Sequence, residues 1–84
     1  MEYNVKFIHP TTGATMEAAI DPNLTAAEVI TALEQENFIE PAHGDMHYIL
    51  GVNGGDKVEG SQTLASGGLR EGGTINVVRS GSAG

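Results

Sequence analysis

The sequence predicts an α+β domain in which one helix packs on one face of a mixed sheet of four to five strands. Short runs of alternating apolar and polar residues recur at both ends of the chain, and a single segment of helical period lies between them. Gly, Pro, Asn and Asp punctuate these segments. One helix covers only one face of a sheet, so the other face is left to solvent. With 84 residues, the chain supports one hydrophobic core.

The first strand is Tyr3 to Ile8, where Tyr3, Val5 and Phe7 alternate with Asn4, Lys6 and Ile8. His9 to Gly13 supplies turn residues, and a second alternation sets Met16, Ala18 and Ile20 against Thr15, Glu17 and Ala19, closing a hairpin. Asp21, Pro22 and Asn23 break that strand. Thr25 then reads as a helix N-cap with Glu28 completing a capping box and Leu24 placed to staple onto Val29. The helix begins at Ala26, carries Val29, Ile30 and Leu33 on its apolar side, and ends near Asn37 or Phe38 ahead of Pro41 and Gly44. Tyr48 to Val52 is the next strand. Asn53, Gly54 and Gly55 turn it tightly into a short strand over Lys57 to Glu59, since Asn and Gly tolerate the positive φ of such turns. Leu64 and Leu69 anchor a loop, and Thr74 to Val78 is the last strand. The folded domain is thus read as residues 1–78, and residues 79–84, which have little to bury, as a flexible tail.

Composition narrows the function. Eleven acidic residues against four basic ones give a net charge of −7, which opposes contact with nucleic acid or an anionic membrane and favours basic partners if charge steers them. The absence of cysteine removes disulfides, thiolate metal sites and a cysteine nucleophile, and suits a reducing compartment. The N-terminal segment has no basic region followed by an apolar run, so a cytoplasmic monomer is expected. His43 and His47 lie four apart with Asp45 between them, but that spacing aligns ligands on a helix, and Pro41 and Gly44 place them in a loop. No metal, cofactor or catalytic residue is expected, and the Asn53-Gly54-Gly55 segment is a hairpin turn rather than a phosphate cradle.

The order strand, strand, helix, strand, short strand, strand is that of the β-grasp roll, and three stretches carry a likeness beyond it. MEYNVK at 1–6, VEGSQTL at 58–64 and LREGGTI at 69–75 resemble the corresponding stretches of ubiquitin and its relatives, with no gap needed from Gly55 onward. The resemblance implies that Leu64, Leu69, Ile75 and Val77 are core anchors. It also places Gly84 at the same distance beyond the last strand as the terminal glycine of mature ubiquitin. The function that this resemblance implies is that of a protein modifier. An activating enzyme would adenylate the α-carboxylate of Gly84, a conjugating enzyme would receive it as a thioester and pass it to an amine of a target protein, and an isopeptidase would reverse the bond.

The six tail residues reach at most about 20 Å, enough to thread an enzyme tunnel, with Arg79, Gly81 and Ala83 available for recognition. The chain departs from the usual pattern at Ala83, where modifiers carry a second glycine, and Arg79 is the one basic residue of the tail. The hairpins resemble those of YukD, implying a bacterial member. A noncovalent accessory of secretion of that kind is the alternative function, and a sulfur carrier is the third.

A recognition surface is expected on the solvent face of the sheet. Ile8 and Val78 both alternate outward, and the resemblance implies a third apolar residue from the middle strand, Ile49 or Leu50; a one-residue slip exchanges these two between faces. Lys6 and Lys57 are the candidate acceptors for a second copy of the chain.

Overall fold

A computed structural model describes residues 1–81. Its elements are β1 (Tyr3–Ile8), β2 (Thr15–Ile20), α1 (Ala26–Gln35), β3 (His47–Val52), β4 (Asp56–Val58), one 3₁₀ turn (Ala65–Gly67) and β5 (Thr74–Ser80). The five strands form one mixed sheet in the order β2-β1-β5-β3-β4, with β1 and β5 parallel and the other neighbours antiparallel. Strand alternation sends Val5, Phe7, Leu50, Val52, Ile75 and Val77 to one face, where Ala26, Val29 and Leu33 of α1 close the core. The expected anchors Leu64, Leu69, Ile75 and Val77 are all buried.

The helix starts where its cap dictates. Thr25 Oγ1 accepts the Glu28 N–H at 3.2 Å, and Glu28 Oε1 accepts the Thr25 N–H at 2.9 Å, the reciprocal bonds of a capping box. The amides of Ala26 and Ala27, which have no partner inside the helix, donate to Gln62 O at 2.8 Å and Gly60 O at 3.0 Å. The loop therefore holds the helix start, and it is stitched there again by Leu64 N–H to Leu24 O and Ala65 N–H to Pro22 O. At the other end, Asn37 adopts φ 61°, with Asn37 N–H donating to Glu34 O and Phe38 N–H to Leu33 O. This Schellman closure ends regular helix at Gln35, slightly before the expected position.

The bounds of three strands move. β3 begins at His47 and β4 spans Asp56–Val58, one residue earlier than the sequence suggests in each case. β5 continues to Ser80 because its ladder with β3 runs on through Tyr48↔Arg79 and His47↔Ser80. The boundary drawn after Val78 thus falls inside a strand, and Arg79 belongs to the sheet rather than to a tail. The turn after β3 has the expected chemistry, with positive φ at both Asn53 and Gly54 and Gly55 N–H closing onto Val52 O at 3.0 Å.

The segment between α1 and β3 has no regular structure but is well anchored. Ile39 and Met46 are buried in the core, and the Tyr48 hydroxyl donates to Glu40 O at 2.7 Å. Burial pushes the Tyr48 phenol above its ordinary pKa, with Arg79 opposing that shift and Glu40 and Glu34 adding to it.

Candidate functional site

The face of the sheet opposite α1 carries the outward-pointing residues of each strand. On β5, Val78 is 39% exposed, and apart from Met1 it is the one large apolar side chain so exposed among the described residues. Directly across the antiparallel ladder stands Ile49, half-buried, so that Ile49 and Val78 form a cross-strand apolar pair on the solvent side. Ile8, also half-buried, is in register with Asn76 of β5, two positions before Val78. The three side chains therefore come from three adjacent strands, β1, β5 and β3, and share one face.

Leu50 does not belong to this surface. It is fully buried, opposite Val77 on one side and Val58 on the other, and both of those are core residues. Because side chains alternate strictly along a strand, the register that places Leu50 in the core places Ile49 outside, which decides between the two alternatives left open by the sequence.

Both lysines lie on the same face. Lys6 is exposed opposite Glu17, and Lys57 is exposed opposite Gly51, whose strand position shares the parity of Ile49. Beside Lys6 runs a shallow groove of about 470 Å³ lined by Asn4, Glu17, Ala19, Gly73 and Thr74. The carboxylates of Glu28, Glu34 and Glu36 lie on the helix instead, and those of Glu40 and Asp45 in the loop that follows it. Lys6, Lys57 and Glu17 occupy the outward positions of β1, β4 and β2 on the face that carries the apolar row.

Arg79 is exposed at the end of the β3–β5 ladder. Gly81 has φ +85°, and a Cβ built there would run into the carbonyl oxygen of Asp45. Its lack of a side chain therefore serves a close backbone approach within the domain, a role that sequence reasoning, which valued its slenderness, missed. Ala83 and Gly84 lie outside the described residues. His43 sits in the loop, where its carbonyl accepts the Met46 N–H at 3.1 Å, and His47 opens β3. Among the described residues no group of three or more His, Cys, Asp or Glu side chains is placed to hold a metal ion, and no helix is long and apolar enough to cross a membrane.

No protein-family model matches the chain, and no curated protein matches it. Solved structures do resemble it. A designed protein based on ubiquitin superposes with a TM-score of 0.72 at 21% identity, covering 96% of this chain and 92% of the other. The ubiquitin-like domain of Plasmodium falciparum Dsk2 gives 0.69 at 24% identity, covering 95% and 100%. The ubiquitin of Caldiarchaeum subterraneum gives 0.71 at 20% identity and covers both chains completely. Together with a five-stranded mixed sheet in the order β2-β1-β5-β3-β4 and one helix on its inner face, these likenesses give the chain the ubiquitin-like β-grasp fold.

Proposed function

We propose that this chain works by being recognised through the outer face of its sheet and that it is a protein modifier, joined to target proteins through Gly84. The observation that carries the first part is the row Ile8, Val78 and Ile49, large apolar side chains on three adjacent strands of the face opposite the helix. The modifier reading is supported by the end-to-end structural likeness to an archaeal ubiquitin. In this reading the chain supplies no catalyst. An activating enzyme and a conjugating enzyme act on its carboxylate, an isopeptidase reverses the bond, and Lys6 and Lys57 are the acceptors should copies be linked to one another.

The test is intact-mass analysis after incubation with ATP and a candidate activating enzyme, for the wild type and for a variant lacking Gly84. Thiol-labile and then amide-linked adducts that vanish with Gly84 support conjugation, whereas no adduct under any condition overturns it. A second reading, a noncovalent adaptor comparable to YukD, is favoured by the likeness to a ubiquitin-like domain and by the intramolecular use of Gly81. It shares the recognition face but needs no chemistry at the tail, and it ranks ahead of a sulfur carrier. Ile49→Ala and Val78→Ala weaken partner binding in both readings, and unchanged affinity with an intact fold would remove the surface from either.

A further inference from the structure

The turn that joins β1 to β2 is closed by a side chain that can change charge. His9 Nδ1 lies 3.1 Å from the Thr11 amide nitrogen, 3.2 Å from the Thr12 amide nitrogen and 3.3 Å from Thr11 Oγ1. Backbone N–H groups only donate, so Nδ1 is the acceptor and the ring proton resides on Nε2. The ring also packs against Phe38, whose ring meets it edge-on at a centroid distance of 5.6 Å and 77° between planes. The His9 N–H closes the loop onto Ala14 O at 2.8 Å, and Thr12 Oγ1 accepts the Ala14 N–H. One imidazole lone pair thus gathers two amides of a turn whose other bonds are few.

We propose that His9 is a pH-sensitive latch on the β1–β2 turn: the neutral ring holds the turn shut by accepting from Thr11 and Thr12, and the protonated ring releases it. A proton on Nδ1 turns the shared acceptor into a donor facing the two amide donors, which can no longer bond to it, and leaves the Thr11 hydroxyl oxygen as the one acceptor of this group within reach. The cleft beside the ring, about 340 Å³, presents Glu40 from the loop, the Tyr48 hydroxyl from β3 and Arg79 from β5, so the two charged groups that face it have opposite signs. Ile8 immediately precedes His9, so release of the turn reaches one end of the apolar row on the outer face. That last consequence rests on the recognition face proposed above, while the latch itself does not.

The experiment follows the ring nitrogens of His9 and the amides of Thr11 and Thr12 by NMR on the full chain as pH falls from about 8 to about 5. His9→Asn, whose side-chain carbonyl accepts from the same amides without titrating, is measured in parallel. Near neutrality Nδ1 is expected to be the unprotonated nitrogen. On acidification both amides shift with the midpoint of the ring, and their exchange protection falls roughly 5- to 10-fold, the loss of about one hydrogen bond. The Ile75 and Val77 amides stay in place, and His9→Asn abolishes the change at Thr11 and Thr12. A proton on Nδ1 near neutrality, amides that ignore the ring titration, or the same shifts in His9→Asn would each overturn the latch.

Discussion

Glu71 receives two hydrogen bonds from Asn4, one from the main-chain N–H to Oε1 at 3.0 Å and one from the side-chain amide to Oε2 at 3.2 Å. With Gly72 N–H donating back to Asn4 O at 2.8 Å, this carboxylate joins the start of β1 to the loop that leads into β5. Glu71→Ala should cost about 1–2 kcal/mol in urea unfolding. Glu71→Gln should cost less, because its carbonyl still accepts the Asn4 N–H and the Asn4 amide can rotate to pair with the new NH₂ group.

The register of β3 makes a sharper prediction. Leu50→Ala should lose about 2–5 kcal/mol, since the deleted side chain leaves a cavity between Val58 and Val77. Ile49→Ala, one residue away on the solvent side, should cost about 1 kcal/mol or less. Equal losses at the two positions in denaturant titrations would contradict the assignment of faces.

Gly67 sits in the 3₁₀ turn with no room for a methyl group, because a Cβ there would overlap Cγ2 of the buried Val58. Gly67→Ala is expected to destabilise the domain by about 1–3 kcal/mol. Shortening the obstructing side chain should relieve this, so the Gly67→Ala/Val58→Ala double variant should be more stable than the sum of the single effects requires, as read from a double-mutant cycle.

Tyr48 couples stability to alkaline pH. Its phenol, raised above 10.0 chiefly by burial, stays protonated in the folded chain while the unfolded chain ionises, so the unfolded state binds fewer protons in that interval. The resulting stability is complete below about 10 and is lost as pH rises through the folded value. Tyr48→Phe should flatten the alkaline fall in unfolding free energy. It should also cost about 1 kcal/mol at neutral pH by leaving Glu40 O without its donor.

Gly81 is expected to resist substitution for reasons internal to the domain. Gly81→Ala meets both a positive φ and the Asp45 carbonyl, at a cost of about 1–2 kcal/mol. Amide exchange should report the damage at His47 and Ser80, the last pair of the β3–β5 ladder, with the β1–β2 hairpin unaffected.

Legibility tracked the range of the interaction. The capping box at Thr25 and Glu28, the turn at Asn53 and Gly54, and the alternation in β1 and β5 are written within a few neighbouring residues, and each was readable from the sequence. Features made by segments that meet only in space were not. Whether Ile49 or Leu50 faced solvent depended on ladder partners in β4 and β5. The extension of β5 to Ser80 depended on His47 being available to pair with it. Ile39, Met46 and the bond from Tyr48 to Glu40 lie in a stretch with no period, where only tertiary packing determines which residues turn inward.

The middle position of the sheet belongs to β5, the last of the five strands to leave the ribosome. Until it is made, the β1–β2 hairpin and the β3–β4 hairpin have no strand between them, and each shows an unpaired inner edge. Assembly of the sheet therefore ends with insertion rather than addition. Neither hairpin completes the sheet by itself, and the pairings that join residues distant in sequence form only once Thr74–Ser80 is available. Cleavage or premature termination before Thr74 would leave both inner edges without the strand that joins them and the core without Ile75 and Val77.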